Sequence, residues 1–296
     1  MSTSARHRRL LRLATRASLA VASVLIVTKA LAWSLSGSVS LLAGLTDSVL
    51  DGAASFLNLL AVHYSLRPAD DDHRYGHGKA EALAGMGQAL FIALSAGLII
   101  LQAIRHLNSP EPLGEADVGI AVMVLSLVLT LGLLCLQSKV VRETGSTAVR
   151  ADSLHYRSDL LLNGSILVAL VLARQGYPQL DALFGLGIGL YILWNAAQIG
   201  KESAGILMDQ ELPTEVAERM MALACSVPGV LGAHDLRTRV SGQHWFVQLH
   251  LELPGQLTLS AAHRLCEQVE AAIIGQFPKA EVLVHADPEE ATPSRR

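Results

Sequence analysis

Six apolar stretches dominate this chain, each long enough to cross the roughly 30 Å hydrocarbon core of a bilayer as a helix. They cover about Leu11–Trp33, Val39–Tyr64, Ala80–Leu107, Glu115–Val141, Ser146–Ala173 and Leu180–Ile199. Composition agrees: 51% of the 296 residues are hydrophobic, only 17% are charged, and aromatics are 4%. Leu, Ala, Val and Ile therefore supply the apolar content, as in a helical membrane protein. The net charge of -3 argues against a nucleic-acid partner. Cys135, Cys225 and Cys266 form no CxxC pair, so they read as small apolar fillers rather than a disulfide framework or thiolate zinc site.

The basic residues orient the spans. Arg6, Arg8, Arg9, Arg12 and Arg16 lie at the N-terminus, and Arg67, Arg74 and Lys79 between stretches two and three. Lys139, Arg142 and Arg150 flank the break between four and five, and Lys201 follows the sixth. The opposite connections hold only Arg105 and Arg174. Both termini are thus expected in the cytoplasm. Residues 1–10 read as a cytoplasmic tail, 11–208 as a six-helix transmembrane domain, and 209–296 as a cytoplasmic domain.

Beyond about Asp209 charge, Pro and His appear. LPTEVAERMMALACSV predicts a helix opening at Pro213, with Glu215 and Glu218 favouring its N-terminal dipole. GAHDLRTRVSG and QHWFVQLHLELP alternate as two strands about Ser241–Gly242. SAAHRLCEQVEAAIIGQF predicts a second helix capped by Ser260, and AEVLVHADP a closing strand. The order αββαβ predicts a small α+β, ferredoxin-like domain. A unit this small gains from dimerising.

Within the second stretch, TDSVLD places Asp47 and Asp51 four residues apart on one helical face. Two intramembrane aspartates cost about 5–7 kcal/mol on insertion scales. A lone aspartate near a helix end can cap or snorkel, but the fifth stretch repeats the spacing with His155 and Asp159. If these helices pack together, one imidazole and three carboxylates meet, a tetrahedral set for Zn²⁺ that also admits Fe²⁺ and Cd²⁺. Lys29 and Arg157 are available counter-charges without an assigned transport role. In RPADDDHRYGHGKAEAL, Asp70, His73 and His77 can hold a second metal, with Gly76 and Gly78 turning the loop. The C-terminal segment offers His234, His250, His263, His285 and Asp287 as a two-metal cluster with Asp287 bridging, and His244 as a bystander at the turn. Gly185 and Gly189, and in the third stretch Gly85, Gly87 and Gly97, suit close helix contact.

With those residues in view, the sequence resembles the cation diffusion facilitator family, and within it the bacterial zinc and ferrous-iron efflux pumps. GSVSLLAGLTDSVLDGAAS, RPADDDHRYGHGKAEAL, ADSLHYRSDLLLN, LMDQELP and GAHDLRTRVSG carry the resemblance over nearly the whole chain. It implies a homodimer in the bacterial inner membrane that exports divalent metal in exchange for protons by alternating access. It implies a transport site at Asp47, Asp51, His155 and Asp159, a loop site at Asp70, His73 and His77, and a cytoplasmic binuclear site at His234, His250, His263, His285 and Asp287. It also implies a charge interlock between Lys79 and Asp209. Ala286 stands where relatives can carry a polar residue. His155, with an unperturbed pKa near 6.5, is the natural proton carrier. Two rivals differ in class: a membrane metalloenzyme, which needs an open site and a general base absent from any HExxH pattern here, and a metal sensor without transport.

Overall fold

The computed structural model describes residues 3–36, 39–108, 117–174 and 180–289. Six long helices come first: α1 Thr3–Ser36, α2 Val39–Ser65, α3 Lys79–Asn108, α4 Asp117–Thr144, α5 Thr147–Arg174 and α6 Leu180–Leu207. Then follow α7 Thr214–Cys225, β1 Gly232–Ser241, β2 His244–Leu253, α8 Leu259–Gln276 and β3 Ala280–Pro288. The chain divides into two compact units, residues 1–67 with 80–204, and 68–79 with 205–296. A single cut at 208/209 assigns the 68–79 loop to the membrane part; in the structure it packs with the C-terminal residues. At the start, α1 takes in most of the expected tail, since nothing in SARHRRLLRLATR breaks a helix.

Among the described residues of the helical unit, five helices are long and apolar enough to cross a bilayer. On α5, the most polar of the six stretches, several polar residues are turned inward. Ala148, Val149, Ala151, Leu154 and Tyr156 are buried, together with Asp152, Ser153, His155 and Ser158. Small residues allow close helix approach: a Cβ on Gly189 would lie 2.7 Å from Ile100 Cγ1, and one on Gly185 3.5 Å from Ala103 Cβ. Gly85 is similarly close to Ser203, whereas Gly87 and Gly97 face open space.

The second unit is a three-stranded sheet ordered β1-β2-β3, with β1/β2 antiparallel and β2/β3 parallel. Val247, Leu249, Leu251 and Leu253 alternate along β2 and bury one face against Met220 and Ala224 of α7 and Cys266, Val269 and Ile273 of α8. Burial also pushes the Cys266 thiol up from its ordinary value. The cap of α8 is Thr258 rather than Ser260. Thr258 has extended φ/ψ and its Oγ1 accepts the Ala261 N–H at 3.3 Å, which leaves Ser260 inside the first turn. A bulge between His234 and Arg237, with Asp235 at φ 49, shifts the register of β1 by one residue.

The 68–79 loop lies on the sheet face opposite the helices. Tyr75 packs edge-on to Phe246 at 5.2 Å, and the Arg239 guanidinium sits 4.4 Å over the Tyr75 ring. Gly78 abuts the β1–β2 turn so closely that a Cβ there would lie 2.4 Å from the Ser241 carbonyl oxygen. Glycine at 78 is therefore a packing requirement, not a source of looseness.

Candidate functional site

The two i,i+4 pairs read from the sequence lie on α2 and α5, and three of their four members converge. His155 Nε2 lies 2.8 Å from Asp51 Oδ1 and 3.9 Å from Asp159 Oδ2. One ligand atom from each of Asp51, His155 and Asp159 falls within 4.8 Å of the other two. All three side chains are largely withdrawn, at 15%, 9% and 27% exposure respectively. Asp47, one turn earlier on α2, is exposed and stands outside this group. Beside its turn, Lys29 of α1 donates to Ser48 Oγ at 2.6 Å and to the Gly44 carbonyl at 3.1 Å. The ammonium charge is thus held on the turn of α2 that carries Asp47.

A buried carboxylate missed at the sequence level supports this group from below. Asp152, three residues before His155, is 1% exposed. Its Oδ2 accepts from Ser18 Oγ of α1 at 2.6 Å and Gln137 Nε2 of α4 at 2.7 Å. Its Oδ1 accepts from Gln88 Nε2 of α3 at 3.2 Å, and Ser55 Oγ of α2 lies 3.5 Å away. Tyr156 closes the set, its hydroxyl 2.9 Å from Ser55 Oγ and donating to the Ser18 carbonyl at 3.3 Å. Five helices therefore meet on one carboxylate, one helical turn from the candidate ligand group. The signal was in the sequence: residues 152, 155 and 159 share a face of α5.

In the loop, ligand atoms of Asp70, His73 and His77 also lie within 4.8 Å of one another. His77 Nε2 is 3.3 Å from Asp70 Oδ2 and its Nδ1 is 3.2 Å from the Pro68 carbonyl. The His73 backbone N–H donates to Asp70 Oδ1 at 2.7 Å and holds that carboxyl below the usual carboxylate range. Lys79 Nζ lies 2.9 Å from Asp209 Oδ1, and Arg239 reaches the other Asp209 oxygen at 3.6 Å. Asp209 adopts φ 58.

The third group sits on the sheet face that the helices leave open. Strand register lines up His234, His250 and His285 in one row across β1, β2 and β3. Asp287, two residues beyond His285 and so on the same face, touches all three. Its Oδ2 is 2.8 Å from His250 Nδ1 and 3.6 Å from His234 Nε2, and its Oδ1 is 3.1 Å from His285 Nε2. Both carboxylate oxygens are engaged by different imidazoles, the arrangement a bridging ligand needs. The hydrogen bond with His250 holds the Asp287 carboxyl below its ordinary range. Three imidazoles and a carboxylate are a donor set suited to zinc. His263 does not join them. It lies on α8, which covers the other face of the sheet, and pairs with Glu267 at 3.5 Å. His244 sits at the hairpin turn opposite Ser241. Ala286 faces away from the histidine row and pairs with Leu251.

Known proteins agree with one another about this chain. A family model of the cation efflux transmembrane domain matches residues 15–208, and one of the cation efflux protein cytoplasmic domain matches residues 212–289. The cation-efflux pump FieF of Yersinia pestis (strain Pestoides F) is 50% identical over 290 residues, covering 98% of this chain and 97% of that protein. FieF of Yersinia pseudotuberculosis serotype O:3 (strain YPIII) matches to the same extent. A solved structure of CzrB in a zinc form is 34% identical over 29% of this chain and 98% of that one, with a TM-score of 0.28.

Proposed function

The chain belongs to the cation efflux family, and on that premise we propose that it exports Zn²⁺ across the bacterial inner membrane as a proton-coupled homodimer. It is a multi-pass membrane transporter of metal cations, not an enzyme. The single observation that carries the finer reading is the convergence of Asp51, His155 and Asp159 between α2 and α5. In an apolar surrounding three ionisable groups at that spacing need a compensating ion. Zn²⁺ supplies it, and Fe²⁺ and Cd²⁺ suit the same ligand types. Asp47 completes the quartet: one turn of α2 separates it from Asp51, and a small rotation or slide of α2 brings it in.

Ligands must be deprotonated to bind metal. Metal enters from the cytoplasm, displaces the proton held between His155 and Asp51, and leaves on the far side as protons return. Asp152 orients α5 during this cycle through donors on four other helices.

The transmembrane part spans residues 11–208 and the metal-binding, dimerising part residues 209–296, with both termini in the cytoplasm, as the distribution of Lys and Arg supports. His234, His250, His285 and Asp287 are the residues of one chain that would hold resident zinc there, and the match to the cytoplasmic-domain family supports dimerisation through it. His263, on the far side of the sheet, takes part only through a second copy. Asp70, His73 and His77 form the loop site, and Lys79 with Asp209 the interlock. When bound, zinc at the histidine row would link side chains of neighbouring strands.

Proteoliposome flux with an imposed pH gradient tests this reading. Zinc uptake into inverted vesicles should rise when the lumen is acidic and collapse when the gradient is dissipated. Zinc flux indifferent to the gradient would remove proton coupling from the proposal; cadmium or ferrous flux without zinc flux would remove zinc.

A further inference from the structure

A crevice of about 380 Å³ lies between α4, α5 and α6, away from the metal-ligand group. On α5 it is lined by Arg150, Ser153 and Arg157, spaced three and four apart on one face. Arg157 is two residues from His155, some 200° round the helix, so the crevice and the ligand group use opposite sides of α5. A second hollow of about 510 Å³ shares Ser138 and Arg142 with the first and runs along Leu131, Leu134 and Cys135 of α4, with Lys139 at its edge.

The charges here do not balance. Arg150 is ion-paired with Glu202, and Glu143 is taken by Arg6 at 2.7 Å. Among the described residues, Lys139, Arg142 and Arg157 have no acidic partner. Ser153 adds a second anomaly. It is 3% exposed, and its hydroxyl has no hydrogen-bond partner among the described residues. Positive charge without a counter-ion, a buried unpaired hydroxyl and an adjoining apolar trough occur together in the bilayer-spanning unit.

We propose that this crevice is a binding site for an anionic phospholipid in the leaflet nearest the α4–α5 connection. The guanidinium groups of Arg142 and Arg157 take the phosphate, for which their planar forks are matched. Ser153 Oγ bonds a phosphate or headgroup oxygen, and one acyl chain follows Leu131 and Leu134. A headgroup carrying its own cation, such as choline, meets the arginines and is repelled. The site is independent of which metal the protein carries.

Native mass spectrometry of the detergent-purified full chain tests this, with phosphatidylglycerol and phosphatidylcholine titrated in turn. Phosphatidylglycerol should be retained preferentially, and R142Q/R157Q should weaken it about 25-fold, about fivefold for each arginine. A control pair on the N-terminal segment, R8Q/R9Q, should leave it unchanged. Equal retention of the two lipids by the wild type overturns the site without reference to any variant. Loss of equal size in the control pair assigns the preference to diffuse surface charge and overturns it too. Glycerol phosphate is the third arm: if it displaces phosphatidylglycerol at equal concentration, the crevice is a soluble-phosphate site and the lipid assignment falls.

Discussion

Two groups of three ligands in this molecule solve opposite problems. Asp51, His155 and Asp159 come together by helix packing, inside a unit whose outer surface is apolar. His234, His250 and Asp287 come together by strand register, on a sheet face that keeps them about a quarter to a third exposed. Water can solvate the second group when no ion is bound, so its emptiness is inexpensive. The first is less open, with His155 only 9% exposed against about a third for His234 and His250, and it lies beside the Asp152 hub. On the proposed reading an ion or a proton occupies it, whereas the sheet group senses concentration by being filled or empty. Transport suits the former and regulation the latter.

The comparison breaks most decisively at α2. Asp51→Ala removes the carboxylate 2.8 Å from His155 and should lower zinc flux in proteoliposomes by about 100-fold or more, the scale of losing a ligand rather than a supporting contact. The protein should stay folded, because deleting one of several mutually repelling acids relieves a cost. Wild-type flux from this variant removes the helical group from transport. Asp152→Ala tests the opposite property of the same unit. It removes the acceptor of Gln88 and one of the two acceptors of Ser18 and of Gln137, which keep the Ala14 carbonyl and Ser18 Oγ respectively. Hydrogen bonds to a charged group are worth about 1.5–3 kcal/mol each, so thermal unfolding in detergent should report a loss on the order of 3 kcal/mol or more. A variant as stable as wild type would show that the hub does not hold the helices together.

What the sequence disclosed differs between the two groups for a physical reason. Helical periodicity is local, so the pairing of Asp47 with Asp51 and of His155 with Asp159 was readable at once. Which aspartate points at His155 depends on the rotation of α2 against α5, and no local signal encodes it; hence Asp47 stands outside the group. Strand parity is local too, and it put His285 and Asp287 on one face. Parity alone misleads where the chain bulges: the extra residue at Asp235 is what lets His234 and Arg237 keep to the same face. His263, placed in the cluster from the second helix and the family resemblance, is kept apart from it within one chain by topology, since α8 lies on the other side of the sheet. The docking of Tyr75 onto Phe246 and Arg239 joins residues far apart in the chain and left no sequence trace.

The sheet group should respond more gently to mutation. His250→Ala removes the central imidazole of the row, the one bonded to Asp287 at 2.8 Å. Calorimetry on the full chain should show one class of zinc sites weakened by about 100-fold or more, the scale of losing a ligand, with zinc flux at saturating metal retained within about threefold. Flux abolished by this single change would erase the distinction between a carrying and a sensing group.

Acid separates the groups by the smallest effect. The hydrogen bond from His250 holds the Asp287 carboxyl below its ordinary range in the folded protein. A folded-state value below the unfolded one of about 3.9 means that the ionised form contributes stability above that pH. The contribution then fades as pH falls through the lowered folded value. Asp287 is partly open to water, so the contribution is a fraction of a kcal/mol to about 1 kcal/mol. Unfolding of the metal-free chain, followed through Trp245 fluorescence from pH 5 to pH 3, should show wild type losing stability faster than His250→Ala. The two curves should draw together as pH falls, because below both values Asp287 is protonated in either protein and the bond has nothing left to stabilise. Parallel curves across that range would mean that the carboxylate is held by the sheet backbone rather than by the histidine row, and the row would then be an assembly formed only around metal.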